Sequence, residues 1–151
     1  MEDECSWASF QGGGIRVVSL KLSHIGVAVS DLDRAVAAYR DIFGYVMLSG
    51  PFDDPIQRVS VCFLGTGEPK EIAIELVAPK GEASPVNTIL AKGIGAYHSC
   101  YEVENIEDAL AYVRTRGCIL ISNPVPAVAF AGRRIAWFYT PTRQLIEVVE
   151  R

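Results

Sequence analysis

The sequence predicts an α+β fold in which two paired β-α-β-β-β modules form one curved sheet around a central cavity. The same order of strand-like and helix-like segments occurs in residues 22–79 and again in residues 94–150. The positions that recur at equal spacing are His24, Val29, Leu32 and Ala35 in one half and His98, Val103, Ile106 and Ala109 in the other. A duplicated unit explains this repeat.

The length and composition of the chain are those of one folded domain. It has 151 residues, half of them hydrophobic, so it is long enough to bury a core. We expect residues 1–20 to be an N-terminal extension, broken from the rest by three consecutive glycines. Residues 21–151 are predicted to be a single domain, in which residues 80–93 link the two modules through a short helix.

The first module alternates strand and helix signals. Residues 22–30 predict a strand, and Ser30 predicts the N-cap of a helix whose apolar positions run from Leu32 to Phe43. Gly44 predicts the end of that helix, because glycine readily adopts the left-handed conformation that closes helices. Three further strands are predicted at 45–49, 59–65 and 71–78.

The second module repeats this order. Residues 95–104 predict a strand, Asn105 predicts the N-cap of the following helix, and Gly117 predicts its end. Three more strands are predicted at 118–122, 134–140 and 144–150. The second module is therefore expected to add a matching half-sheet to the first.

Charge and cysteine content exclude several classes of function. The formal net charge is −4 and no basic stripe is present, so neither nucleic acid nor a membrane surface is expected as a partner. No apolar run approaches the roughly 18–20 residues that span a bilayer. The four cysteines have no CxxC spacing and are expected to be reduced thiols in a cytoplasmic protein. Arg133 and Arg134 form the densest basic spot and are candidate contacts for a small anionic ligand.

The histidines of the chain lie in the middle of predicted strands. Because side chains alternate along a strand, His24 shares a face with Gly26 and Ala28, whereas Val27 and Val29 face the amphipathic helix. The face of His24 is otherwise small. This face of the strand is therefore expected to line a cavity and not to pack in the core.

Two glutamates lie among apolar residues on both faces of their predicted strands. Glu75 and Glu147 occupy matching places in the similar strings IELVAP and IEVVER. A buried carboxylate is costly unless it is paired, protonated or bound to a metal. Together with His24 and His98 they predict a site for a divalent transition metal, for which Zn, Co, Ni, Mn and Fe all remain open.

These residues resemble the vicinal oxygen chelate superfamily, which includes the glyoxalases and bleomycin-resistance proteins. The segments that carry the resemblance are HIGVAVSDLDRAVAAYRDIFG from His24, IELVAP from Ile74, SPV from Ser84, GAYHSCYEVENI from Gly95, FYTP from Phe138 and LIEVVE from Leu145. The resemblance implies that His24, Glu75, His98 and Glu147 bind the metal. It also implies that Glu147 acts as the base and that the protein forms a homodimer.

Within that superfamily the sequence is most similar to the methylmalonyl-CoA epimerases. This implies a metal-dependent isomerase that abstracts a proton α to a carbonyl of a small acyl-CoA thioester, with Arg133 and Arg134 contacting a CoA phosphate. An epimerase also needs a second acid/base early in the third strand, where this chain has Ser60 or Val61. The sequence thus supports proton abstraction by one base and supplies no second carboxylate for inversion at that place.

Other functions of the same superfamily remain open. A glyoxalase-like lyase of the lactoylglutathione type would use the same four ligands, with Glu147 as its base. Ring-cleaving dioxygenases rank lower, since they use two histidines and one glutamate and have chains about twice as long. A non-catalytic binding or resistance module typically lacks the full ligand set. Cys62 and Cys100 either line the cavity or pack in the core, and packing is favoured.

Overall fold

The computed structural model describes residues 18–151. Almost all of the predicted N-terminal extension, including Cys5, lies outside the described residues. The strands are β1 (Lys21–Ala28), β2 (Val46–Asp54), β3 (Val59–Gly65), β4 (Ala73–Pro79), β5 (Ala96–Val103), β6 (Ile119–Leu120), β7 (Val125–Pro126), β8 (Arg134–Tyr139) and β9 (Leu145–Glu150), and the helices are α1 (Leu32–Phe43), α2 (Val86–Ala91) and α3 (Ile106–Arg114).

All nine strands of the described chain belong to one curved sheet. Its order is β2-β3-β4-β1-β5-β9-β8-β6, and β7 pairs with β8. Within each module the first strand pairs in parallel with the last, β1 with β4 and β5 with β9. The two modules join where β1 and β5 run antiparallel, at the centre of the sheet. The predicted α+β fold of two β-α-β-β-β modules is confirmed.

Helix α1 begins one residue later than its predicted cap. Asp31, not Ser30, is the N-cap: its backbone is extended, and its carboxylate accepts a hydrogen bond from the backbone N–H of Arg34 at 2.9 Å. Aspartate caps as well as serine does, so local propensity could not separate two adjacent candidates. Gly44 ends the helix with φ 69, as predicted.

Helix α3 has the predicted start and an earlier end. The Asn105 side chain accepts from the backbone N–H of Asp108 at 2.8 Å. The helix ends at Arg114 with Thr115 as C-cap, whereas the sequence indicated Gly117. Gly117 has φ 82 and belongs to the turn that follows, in which its N–H donates to the carbonyl of Arg114. The glycine reverses the chain after the helix has already ended.

Two segments depart from the predicted strands. β2 continues to Asp54, well past the predicted residue 49, because register shifts between Ser49 and Phe52 let the ladder with β3 pass Pro51. The two-residue strand β7 and the 3-10 helix at Val128–Phe130 that follows it were not predicted. A two-residue strand is too short to show a sequence period.

The helices α1 and α3 cover one face of the sheet. Val27 and Val29 pack against α1 together with Leu64 and Leu76, as the alternation predicted. In the second module, Ile106, Ala109, Leu110 and Val113 of α3 are buried against β5, β8 and β9. Burying each of the three larger side chains, Ile106, Leu110 and Val113, contributes about 1.5–3 kcal/mol. The opposite face of the central strands is thereby left to line a cavity.

Among the described residues, no helix has the length and apolarity needed to cross a membrane.

Candidate metal centre

The four predicted ligands lie on the four central strands of the sheet. His24 is on β1, Glu75 on β4, His98 on β5 and Glu147 on β9. All four residues are buried, with exposed fractions between 1% and 6%. Each module supplies one histidine from its first strand and one glutamate from its last. The parallel pairing of those strands is what places the two side by side.

The donor atoms of the four side chains converge on one point. Nε2 of His24 lies 3.2 Å from Oε2 of Glu75 and 3.3 Å from Oε2 of Glu147. Nε2 of His98 lies 3.2 Å and 3.6 Å from the same two oxygens. One ligand atom from each residue falls within 4.8 Å of all the others. Two nitrogens and two oxygens therefore surround a common centre.

These atoms approach closely but are not hydrogen bonded in good geometry. Nε2 of His24, both ring nitrogens of His98 and Oε2 of Glu147 are buried without a hydrogen-bond partner. Unpaired buried polar atoms are costly, and a divalent cation at their centre would satisfy three of the four at once. The donor set of two imidazoles and two carboxylates also suits a first-row transition metal. The residues present thus fit the metal that the sequence predicts.

The charges of the site stabilise one another when no metal is bound. Burial lowers the pKa of His24, but the carboxylates of Glu147 and Glu75 outweigh it and raise the pKa to about 9. Burial likewise raises the pKa of Glu147, yet the two imidazoles bring it down to about 2. The pKa of His98 is likewise raised, because the two carboxylates outweigh burial. The pKa of Glu75 is lowered, because the two imidazoles outweigh burial. A metal ion must therefore displace protons from the imidazoles.

Gly26 makes room for one of the histidines. It lies opposite Glu75 in the β1–β4 ladder and opposite His98 in the β1–β5 ladder. A Cβ added at Gly26 would lie 1.9 Å from Cε1 of His98 and 2.2 Å from its Nδ1. The imidazole of His98 therefore rests on the bare backbone of β1. The strand face that His24 shares with Gly26 was predicted to have small side chains, and this lack of bulk makes room for the His98 ring.

Aromatic rings hold both imidazoles from the sides. The ring of His24 meets Phe63 edge-on at 5.2 Å and stacks on Phe130 at 5.8 Å. The ring of His98 meets Trp137 edge-on at 4.8 Å. Ser23 contacts Nδ1 of His24 at 3.3 Å, which turns Nε2 toward the centre. The imidazoles are thus oriented without help from a metal.

The two buried cysteines do not line the cavity. Cys62 packs with Leu64 and Leu76 on the side of α1, and burial raises the pKa of its thiol to about 11. Cys100 is fully buried between His24 and Glu147 in the strand registers, and burial raises its pKa well above the usual value. Both are neutral thiols in the core, in agreement with the predicted packing role.

Three of the four side chains, Glu75, His98 and Glu147, line a cavity of about 500 Å³. Its walls are mainly apolar and come from both modules, and include Val59, Val61, Val77, Tyr97, Phe130 and Trp137. Such a lining excludes water from a small ligand while leaving the carboxylates as its reactive groups.

The wall formed by β3 presents no carboxylate to this cavity. Val61 lines it, whereas the Ser60 hydroxyl donates to the Asp53 carboxylate outside. Asp54 is the third carboxylate among the described lining residues, in addition to Glu75 and Glu147. Its Oδ1 accepts the backbone N–H groups of Ile56 and Gln57 at 2.9 Å, and Oδ2 accepts that of Val128 at 3.3 Å. Asp54 therefore ties the loops of the two modules together.

The two arginines predicted to contact a ligand lie outside the cavity lining. The Arg134 guanidinium donates to both carboxylate oxygens of Glu107 and both of Glu150. Arg133 lies over the ring of Phe130 at 5.5 Å and donates to the carbonyl of Glu150. Their contact with a CoA phosphate stays a prediction. Sequence reasoning did not identify Tyr97 and Trp137 as cavity walls, because it had no pattern that distinguishes them from core aromatics.

Comparison with known proteins agrees with this architecture. Residues 23–137 match the model of a family described as the glyoxalase/bleomycin resistance protein/dioxygenase superfamily. The chain belongs to this superfamily. It is 33% identical to the ethylmalonyl-CoA/methylmalonyl-CoA epimerase of Cereibacter sphaeroides, over 79% of this chain and 87% of that one. The resemblance found in the sequence is confirmed.

Further relatives include both epimerases and a lyase. The chain is 35% identical to the mitochondrial methylmalonyl-CoA epimerase of Homo sapiens, over 70% of this chain and 58% of that one. It is 29% identical to a lactoylglutathione lyase of Arabidopsis thaliana, over 85% of this chain and 43% of that one. Among solved structures, the methylmalonyl-CoA epimerase of Mycobacterium tuberculosis superposes with a TM-score of 0.74 at 26% identity, over 86% of this chain and 87% of that one. These relatives support an epimerase-like or glyoxalase-type enzyme.

Proposed function

We propose that the protein is a metal-dependent enzyme that abstracts the proton α to the carbonyl of a small acyl thioester, as in methylmalonyl-CoA. The observation that carries this proposal is the convergence of two imidazoles and two carboxylates beside a mainly apolar cavity, which three of the four side chains line. Similarity to epimerases supports the choice of substrate class.

The four converging side chains have distinct roles in this proposal. His24, Glu75, His98 and Glu147 hold a divalent metal. The bound metal supplies Lewis acidity, which stabilises negative charge that develops on the substrate oxygens. Glu147 is assigned as the base toward the α-carbon because the resemblance to the superfamily gives this role to the carboxylate on the last strand of the second module, and Glu147 lines the cavity from that strand. The apolar walls keep water from the reacting carbon.

The proposal assigns proton abstraction to one carboxylate. Inversion requires a second acid/base on the opposite side of the planar intermediate, and Val59 and Val61 form the wall contributed by β3. Both oxygens of Asp54, the third carboxylate of the lining, are engaged in backbone hydrogen bonds that hold the loops of the two modules together. We therefore expect exchange of the α-proton with solvent to be faster than inversion of configuration.

The test is solvent exchange at the α-carbon. The protein is loaded with cobalt and mixed with methylmalonyl-CoA in D2O, and loss of the α-proton is followed by NMR. Glu147→Gln keeps an oxygen at the ligand position but removes the base, so we expect exchange to fall about 100-fold or more. Glu68→Gln is the matched control, since Glu68 is exposed and lies outside the cavity. Equal exchange in the two variants would contradict the role of Glu147.

A glyoxalase-type lyase is the second candidate. The observation that favours it is that both carboxylate ligands are glutamates, whereas the resemblance to epimerases implies that glutamine often stands at the position of Glu75, although glutamate is also tolerated there. The same protein is assayed with the hemithioacetal of methylglyoxal and glutathione. Turnover of that compound without exchange on methylmalonyl-CoA would replace the first candidate by the second.

A further inference from the structure

A second pocket of about 510 Å³ adjoins the metal cavity on its outer side. The two spaces share a rim made of Ile89, Lys92, Tyr97, His98, Tyr139 and Leu145. The two spaces are therefore adjacent, and a long ligand whose reacting group lies in the inner cavity has room to extend into the outer pocket. The outer pocket is where the rest of a long substrate would lie.

The outer pocket carries positive charge in an otherwise acidic protein. Lys92 and Arg143 line it, and no aspartate or glutamate is found among the described residues around it. Both side chains are exposed, and neither forms a salt bridge or a side-chain hydrogen bond within residues 18–151. The whole chain has a net charge of −4, so this local excess of cations stands against the overall balance.

The backbone holds these two cations on separate elements. Lys92 is the C-cap of α2, in the segment that joins the modules. Arg143 lies in the turn between β8 and β9 with φ 66. That turn is fixed by hydrogen bonds from Arg143 N to the carbonyl of Thr140 at 2.9 Å and from Thr140 N to that of Gln144 at 3.0 Å. One ammonium group, from the segment that joins the modules, and one guanidinium group, from a turn of the second module, are thus presented to the same pocket.

We infer that Lys92 and Arg143 form an anion-binding subsite for the charged end of the substrate's thiol carrier. This inference rests on the proposed function, because it assumes that the thioester occupies the inner cavity. A coenzyme A ester is too large for a cavity of about 500 Å³, so its phosphates must lie outside. Glutathione would present carboxylates there instead. Arginine binds both kinds of anion through paired N–H groups.

The arginine pair indicated by the sequence is less suited to this role. The Arg134 guanidinium already faces two carboxylates, Glu107 and Glu150. An anion there would meet negative charge at short range, which weakens binding. Lys92 and Arg143 have no such neighbours in their pocket, so the structure favours them as the contacts for an anion.

The test compares three propionyl thioesters that differ in their carriers. Dissociation constants of the metal-loaded protein are measured by calorimetry for propionyl-CoA, S-propionylglutathione and S-propionylpantetheine, the last of which lacks phosphates. The double variant Lys92→Ala/Arg143→Ala is compared with Arg40→Ala, an exposed arginine paired with Asp41 on α1. We expect the double variant to bind one charged ester about tenfold more weakly and the pantetheine ester unchanged.

The affected ester identifies the anion. Selective loss for propionyl-CoA assigns the subsite to phosphates, and selective loss for the glutathione ester assigns it to carboxylates. The inference is overturned if the double variant binds all three esters as Arg40→Ala does. A thermal unfolding curve distinguishes loss of α2 from loss of charge. Exchange measured on methylmalonylpantetheine tests the proposed function separately, because this ester needs no anion subsite.

Discussion

Replacing Gly26 by alanine tests whether the bare backbone of β1 positions a metal ligand. The added Cβ would lie 1.9 Å from Cε1 and 2.5 Å from Nε2 of His98, where ordinary contacts are longer than about 3.4 Å. The imidazole must therefore move by more than 1 Å or so, which takes Nε2 away from the common centre. Displacing a ligand by this distance is expected to cost about 100-fold in α-proton exchange. Metal affinity is expected to fall about 10–100-fold.

The matched control for this variant is Gly95→Ala. Gly95 lies just before β5, has no atoms within 4 Å of an added Cβ, and is not in the left-handed region. Metal affinity is measured by competition with a chromogenic chelator, and exchange by NMR in D2O. If Gly26→Ala matches Gly95→Ala in both assays, the imidazole of His98 does not depend on Gly26, and the reasoning is refuted.

Two further predictions concern charge. In the metal-free protein the pKa of His24 is about 9, above its ordinary 6.5, so the stability it contributes is present below pH 6.5 and is lost as the pH rises through 9. The melting temperature of the apoprotein should fall over this range and that of the metal-loaded protein should not; a flat apoprotein profile would contradict the assignment. Arg134→Ala should lower the melting temperature by breaking contacts with Glu107 and Glu150, and the loss should shrink in high salt. A loss that is independent of salt would indicate packing instead of charge.

The repeat in the sequence was sufficient to locate the four converging residues. Strand alternation placed His24 on the face opposite Val27 and Val29, and the packing of both valines against α1 agrees. The matching positions of Glu75 and Glu147 in two apolar strands were also readable, because a buried carboxylate requires a partner. These features depend on local periodicity and on the cost of burial, and both are properties of short segments.

Other features depend on contacts between distant parts of the chain, which no local pattern records. The ladder between β1 and β5 decides that the His98 ring covers Gly26, and the β3 ladder decides that Val61 faces the cavity.

Which charged side chains are free to bind a ligand also depends on contacts between distant parts of the chain. The sequence indicated Arg133 and Arg134 as the ligand contacts and did not indicate Lys92. Only the pairing of β8 with β9, and the packing of α3 beside them, brings Arg134 against Glu107 and Glu150. The sequence by itself determined the fold and the residues of the centre, because the repeat and strand periodicity specify them. The tertiary structure decided which charges remain free at the mouth of the cavity, because that depends on which distant side chains become neighbours.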